Sequence, residues 1–208
     1  KKNLLTRIRM AAAEFVEQSR ACIASDTKFD LQPGHTKEDP KLRRLSFPVD
    51  HHETFREIAF DSPIVDVAAD LLGPNVCYHH SKLNYKWSRG GDEIKWHQDI
   101  QYWPHTDFSP LTIGIYLEDV DSEMAPMGVV PRSHRGPLYK LQDSMGNFNG
   151  TIHPEDLDHA GLSDAIYLEG VAGSVTVHNC CLVHGSKPNF SNRVRPLLLQ
   201  TYTSGDSF

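Results

Sequence analysis

The chain has 208 residues, a formal net charge of −6 and a sequence pI near 6.0, with 39% hydrophobic and 23% charged residues. That is globular composition for a single domain with a sizeable core. The acidic balance and the lack of a basic run give no support to nucleic acid or an anionic membrane surface as partner. No apolar run approaches the ~18–20 residues of a membrane span, and the start shows no signal-peptide pattern. The cysteines, Cys22, Cys77, Cys180 and Cys181, form no CxxC pair and read as reduced thiols of a cytoplasmic protein. A chain opening on Lys1-Lys2 without methionine reads as a fragment or as part of a longer protein. Oligomeric state leaves no signal in the sequence.

In chain order, residues 3–24 place Leu5, Ile8, Ala12, Phe15 and Val16 at helical spacing, without Gly or Pro, and predict an amphipathic helix. A polar loop with Pro33 and Gly34 follows. Residues 52–60 and 62–72 predict two more helices, the second between a Ser62-Pro63 start and a Gly73-Pro74 stop. Short β-rich runs then occupy 76–86, 111–119, 127–131, 173–178 and 195–203, separated by loops rich in Gly, Asp, Ser and Pro. The stretch 140–165 reads as an ordered loop or short helices over one face, a common place for a lid. Helices followed by many short strands predict a mainly β protein with flanking α-helices, an antiparallel barrel or jelly roll, as one domain over 1–208. The helices fall within about 3–72 and the barrel within about 76–203.

The chemistry starts at Trp96-His97-Gln98-Asp99. Residues two apart on an extended strand share a face, so His97 and Asp99 offer an imidazole and a carboxylate side by side. His184, in Leu182-Val183-His184-Gly185-Ser186, is the third candidate ligand. Two histidines and one carboxylate make the facial triad of non-haem iron sites, with three coordination positions left for other ligands. Arg195 opens the last strand; its planar fork suits the distal carboxylate of 2-oxoglutarate, and Ser186 adds a hydroxyl to the same group. Singly, each signal is weak, since the chain has 12 histidines and a lone histidine is more often structural. The ordered set carries the reading.

Period two also puts Lys82, Asn84 and Lys86 on one face of the 76–86 strand. Either that face is a solvated edge, or Lys82 and Asn84 enter the barrel mouth and meet substrate or cosubstrate. Gln98 and Tyr102 are further substrate candidates; Tyr102, Trp103 and His105 are read equally well as pocket wall or as packing. His79 and His80 face opposite sides of a strand, which disfavours joint ligation. Ser133-His134 reads as loop-stabilising, Arg193 as surface, and Cys180 and Cys181 as buried thiols that do not ligate.

Residues 40–203 resemble the phytanoyl-CoA dioxygenase family, which includes ectoine hydroxylases. The resemblance rests on His97-Gln98-Asp99, Leu111 to Val120, Gly128-Val129-Val130-Pro131-Arg132-Ser133-His134, and His184-Gly185-Ser186 through Arg195. It implies a double-stranded β-helix using Fe(II), 2-oxoglutarate and O2 on a small-molecule substrate, with His97, Asp99 and His184 on iron and Arg195 and Ser186 on the cosubstrate. The family usually has Gly where Arg132 stands, its N-terminal strand is missing here and its C-terminal tail is short. Three rival readings remain. A halogenase needs the carboxylate position vacant, whereas Asp99 fills it. A zinc hydrolase can use the same three ligands, and a non-catalytic metal-binding jelly roll is the third. The substrate expected is small, polar and anionic, because an inward Lys82 needs an anion beside it.

Overall fold

The computed structural model describes residues 2–89 and 91–208. Helix α1 (Lys2–Ser19) is followed by strands β1 (Phe29–Leu31) and β2 (Leu42–Ser46), and by helices α2 (Pro48–His51), α3 (Glu53–Phe60) and α4 (Pro63–Leu72). Strands β3 (Val76–Lys86), β4 (Ile94–His97), β5 (Leu111–Tyr116) and β6 (Met127–Val129) come next. After the short helix α5 (Pro154–Leu157) the chain runs through β7 (Ile166–Leu168), β8 (Val175–Asn179), β9 (His184–Ser186) and β10 (Arg195–Ser204). Two antiparallel sheets result, ordered β1-β2-β3-β10-β5-β8 and β4-β9-β6-β7. This is the expected jelly roll with flanking helices.

The six-stranded sheet has two chemically different faces, and strand parity explains both. Leu45, Leu83, Ile113, Ile115 and Leu198 point outward to meet Ile8 and Phe15 of α1, Phe55 and Ile58 of α3, and Ile64 and Ala68 of α4 in the main core. The alternating residues point inward, and the register lines them up across strands. Arg44 lies opposite Asn84, Lys82 opposite Leu199, Lys86 opposite Arg195, and Thr112 opposite His178. A cavity between two sheets is thereby given a polar lining on one wall. Gly114 sits on that wall because a Cβ there would stand 2.6 Å from Thr176 Oγ1.

Local signals account for the helix ends. Ser62 caps α4 through its hydroxyl, Pro63 occupies the first turn, and Gly73 leaves it at φ +96°. The imidazole of His52 caps α3 by accepting from Thr54 N–H. The first helix stops at Ser19 rather than at residue 24. The buried Ser19 hydroxyl bonds back to Val16 C=O and the following amides close short turns, so the chain leaves the helix without Gly or Pro. Strands β1 and β2 occupy a segment read from the sequence as loop, and α2 and β7 were likewise unexpected as elements. All of these have five residues or fewer, too few to show a period.

The 140–165 stretch is packed. Leu141, Ile152 and Ala160 form a second small core with Val130 and Val183, and Ile152 N–H bonds Trp96 C=O. Ser133 has the loop role expected of it: its hydroxyl donates to Val130 C=O and accepts from Val183 N–H, which fixes the turn beside β9. Arg132 stands at φ +67°, a conformation that favours glycine.

Candidate metal and cosubstrate site

Strand β4 pairs antiparallel with β9 so that His97 lies directly opposite His184. The strand ends at His97 and Asp99 begins a 3-10 turn, but the intervening Gln98 keeps extended dihedrals, so the two side chains still share a face. Asp99 Oδ1 stands 3.5 Å from His97 Nε2, and Asp99 Oδ2 stands 3.8 Å from His184 Nε2. One nitrogen or oxygen from each of the three residues lies within 4.8 Å of the others, and this group can hold a metal ion.

The hydrogen bonds behind the triad favour ligation. His97 Nδ1 is 2.7 Å from Lys95 C=O and His184 Nδ1 is 2.9 Å from Leu182 C=O. A carbonyl can only accept, so in each ring Nδ1 carries the proton and Nε2 keeps its lone pair for the triad centre. Burial pushes His184 down to about 3, with His97 adding to the effect, so this imidazole is neutral at pH 7. Burial alone would raise the Asp99 carboxyl, but His184, His178 and His97 around it outweigh that and hold it well below the usual carboxylate range.

His178 is a site residue that the sequence reading missed. It lies on β8, is 5% exposed, and its Nε2 stands 3.5 Å from Asp99 Oδ2. Its position one strand away from β5, with no motif around it, leaves no local signal. Only its parity with Thr176 on an edge strand marks it as inward.

The triad opens on a chamber of about 120 Å³ lined by Arg44, His80, Lys82, Asn84, Thr112, His178, Ser186, Arg195 and apolar residues including Met127, Leu197 and Leu199. Arg195 is 3% exposed and its Nε and Nη1 have no hydrogen-bond partner among the described residues. Tyr116 is the polar side chain that favours its charge against burial. A buried guanidinium without a carboxylate is costly unless an anion completes it. Ser186, on β9 of the facing sheet, lines the same chamber and adds a hydroxyl. The chamber widens past Arg44 and Lys82 into a vestibule bounded by Glu93, Lys95, Tyr102 and Asn149 to Thr151.

The other expected residues separate clearly. Lys82 and Asn84 line the chamber rather than a solvated edge. Lys86 shares their face but is tied by its ammonium to the carbonyls of Ser186 and Lys187. Gln98, read as a substrate candidate, is corrected. It is fully buried, donates to Pro137 C=O and Cys181 C=O, accepts from Tyr139 N–H, and does not line the chamber. Tyr102 is exposed at the vestibule, its ring 5.6 Å from His97 and its hydroxyl on Gly150 C=O. Trp103 packs with Ile100, Cys180 and Cys181. Both those cysteines are buried free thiols. His80 faces the chamber and is pushed down to about 3 by burial, while His79 faces out. Arg193 pairs with Asp121 at the surface. No described helix is long and apolar enough to cross a membrane.

Fold and site together define a jelly-roll barrel with a two-histidine, one-carboxylate group facing a buried arginine. The chain belongs to the phytanoyl-CoA dioxygenase (PhyH) family, whose model matches residues 6–197. It is 32% identical over 198 residues to the probable alpha-ketoglutarate-dependent hypophosphite dioxygenase of Stutzerimonas stutzeri, covering 93% of this chain and 68% of that protein. It is 29% identical over 148 residues to the ectoine dioxygenase of Sphingopyxis alaskensis, covering 64% of this chain and 48% of that one. Among solved structures, EctD from S. alaskensis with bound Fe superposes with TM-score 0.79 at 23% identity, over 98% of this chain and 69% of the other. The same enzyme with 2-oxoglutarate and 5-hydroxyectoine also gives 0.79. At that identity the likeness speaks for the fold.

Proposed function

We propose that this chain is a non-haem Fe(II)/2-oxoglutarate-dependent dioxygenase that hydroxylates an unactivated C–H bond of a small polar or anionic substrate. One observation carries the reading. A buried guanidinium with unpartnered donors, Arg195, faces the same chamber as the His97–Asp99–His184 triad. The triad alone suits several metals and reactions, a zinc hydrolase among them. A carboxylate slot beside it suits a dicarboxylate that must reach both the metal and Arg195. The names of the relatives, dioxygenases for hypophosphite and ectoine and a proline hydroxylase, support the class.

The donor set fits iron(II): two imidazoles on adjacent strands, each with Nδ1 on a backbone carbonyl and Nε2 toward the triad centre, and one carboxylate held well below its usual range. When bound, iron and 2-oxoglutarate supply the oxygen activation that permits C–H oxidation, with succinate and CO2 released. The protein's residues bind and orient. Arg195 and Ser186 hold the far carboxylate of the cosubstrate. Leu197, Leu199 and Met127 keep water from the chamber. Lys82 and Asn84 meet the substrate at the chamber mouth, and Tyr102 forms part of the approach.

The test is a screen of small organic and inorganic anions with Fe(II), 2-oxoglutarate and air, reading succinate and oxidised product by mass spectrometry. Succinate formation that depends on 2-oxoglutarate, and rises with one class of compound, is the expected result. Product formed without 2-oxoglutarate, or zinc-supported hydrolysis, would overturn the reading.

A further inference from the structure

We infer that Arg44 and Lys82 together form a seat for the substrate's own anionic group, an oxyanion presenting at least two oxygens, separate from the carboxylate slot at Arg195. The inference rests on the functional reading above and adds a second site to it.

Position is the first argument. Arg195 and Ser186 line the inner chamber only, whereas Arg44 and Lys82 line both the chamber and the vestibule, together with the ligands His97 and Asp99. The two cations therefore stand on the open side of the triad and Arg195 on the closed side. A molecule arriving from solvent after the cosubstrate is seated meets Arg44 and Lys82 first.

Unmet bonding is the second. Among the described residues Lys82 makes no hydrogen bond or ion pair. Arg44 makes one hydrogen bond, from Nε to Asn84 Oδ1 at 3.0 Å. That bond leaves the two terminal nitrogens of the guanidinium unengaged and fixes the plane of the fork, with Asn84 acting as the orienting group. A fork so held presents two parallel donors, which match two oxygens of a carboxylate, phosphinate, phosphonate or sulfonate.

Charge is the third. Asp99 is the only carboxylate lining the inner chamber among the described residues. With a divalent ion bound, its charge is spent on the metal. The remaining charge of that pair and the charge of Arg195 together match a 2-oxoglutarate dianion. Arg44 and Lys82 are then left without a counter-charge, half-buried, with Arg44 close enough to disfavour the charge on Lys82. Burial pushes both cations down from their ordinary values, with Arg43 adding to the effect on Arg44 and Arg44 adding to that on Lys82, and an anion between the two relieves it. Asp30, the carboxylate that favours the charge on Arg44, is already engaged by Arg43, and Asp99, which favours that on Lys82, belongs to the metal group. The neutral, buried His80 beside Lys82 leaves the demand for an anion intact.

The experiment is calorimetric titration of Fe(II)-loaded protein saturated with 2-oxoglutarate, without oxygen. The probes are acetate, methylphosphonate, hypophosphite and methanesulfonate, with uncharged N-methylacetamide as control. Arg44→Gln and Lys82→Met are compared with the parent, with melting temperatures and 2-oxoglutarate dissociation constants measured for each. The expected result is binding of one or more oxyanions to the parent but not of the amide. Affinity should fall about tenfold or more in each variant, with 2-oxoglutarate affinity changed less than about threefold. Absence of oxyanion binding to the parent would overturn the inference, as would variants that lose 2-oxoglutarate as strongly as the probe. Failure of the parent to bind 2-oxoglutarate would instead overturn the functional reading; oxyanion binding that persists there and falls in the variants would still establish the seat.

Discussion

His178 Nε2 lies 3.5 Å from Asp99 Oδ2, the same oxygen that stands 3.8 Å from His184 Nε2, while the other oxygen of Asp99 faces His97. The carboxylate thus has a third imidazole beside it on the chamber wall. Groups that orient a metal ligand typically contribute about 10–100-fold to metal affinity. His178→Phe should weaken Fe(II) or Co(II) binding by about that factor without unfolding the protein, and His178→Gln should recover part of the loss. Metal titration followed by Co(II) absorption checks this. Equal affinities for parent and His178→Phe would mean that the contact does not orient Asp99.

Arg195→Ala should leave metal affinity nearly unchanged and weaken 2-oxoglutarate by roughly 2–5 kcal/mol, about thirty-fold to a few thousand-fold. Arg193→Ala should do far less, because that side chain is spent on Asp121 at the surface. Equilibrium dialysis of labelled 2-oxoglutarate against both variants separates the two arginines; similar losses would remove the special role of Arg195.

Much of this arrangement is legible in the sequence because it depends on parity and on long elements. The 11-residue β3 shows its period openly, so Lys82 and Asn84 were readable as candidates for the inward face. The 97–99 pair survives the end of β4 because Gln98 stays extended. What was not legible needed partners distant in sequence. His178 becomes a site residue only when β8 pairs with β5, and Arg44 only when β2 adds to the edge of β3. Gln98 was misread for the opposite reason: proximity to two ligands suggested substrate, but a residue between two inward neighbours points the other way. There it meets the 137–139 loop and Cys181.

Gln98→Leu removes a fully buried amide and strands two carbonyls and an amide N–H, each costing on the order of 1–3 kcal/mol if unmet. A stability loss of about 2–4 kcal/mol in urea denaturation is expected, with the dissociation constants of surviving folded protein for 2-oxoglutarate changed little. Unchanged stability would return Gln98 to the candidates for ligand contact.

Arg132 holds φ +67° at the turn into the 133–135 segment. A non-glycine residue there carries about 1–2 kcal/mol of backbone strain, against roughly 0.5–1 kcal/mol of added chain entropy for glycine. Arg132→Gly should therefore raise stability by up to about 1 kcal/mol, and Arg132→Val should lower it. Chemical denaturation of both variants gives the signs directly, and a destabilised glycine variant would show that the arginine side chain contributes more than the strain costs.

The central claim is that one chamber holds a metal on His97, Asp99 and His184 and a dicarboxylate on Arg195. Oxygen-free equilibrium dialysis of labelled 2-oxoglutarate against metal-free and Fe(II)-loaded protein tests it most directly, repeated with His184→Ala and Arg195→Ala. Tight, metal-dependent binding to the parent is expected, with loss of the metal dependence in His184→Ala and weak binding with iron still held in Arg195→Ala. Binding that is indifferent to iron, or that survives both substitutions, would contradict it.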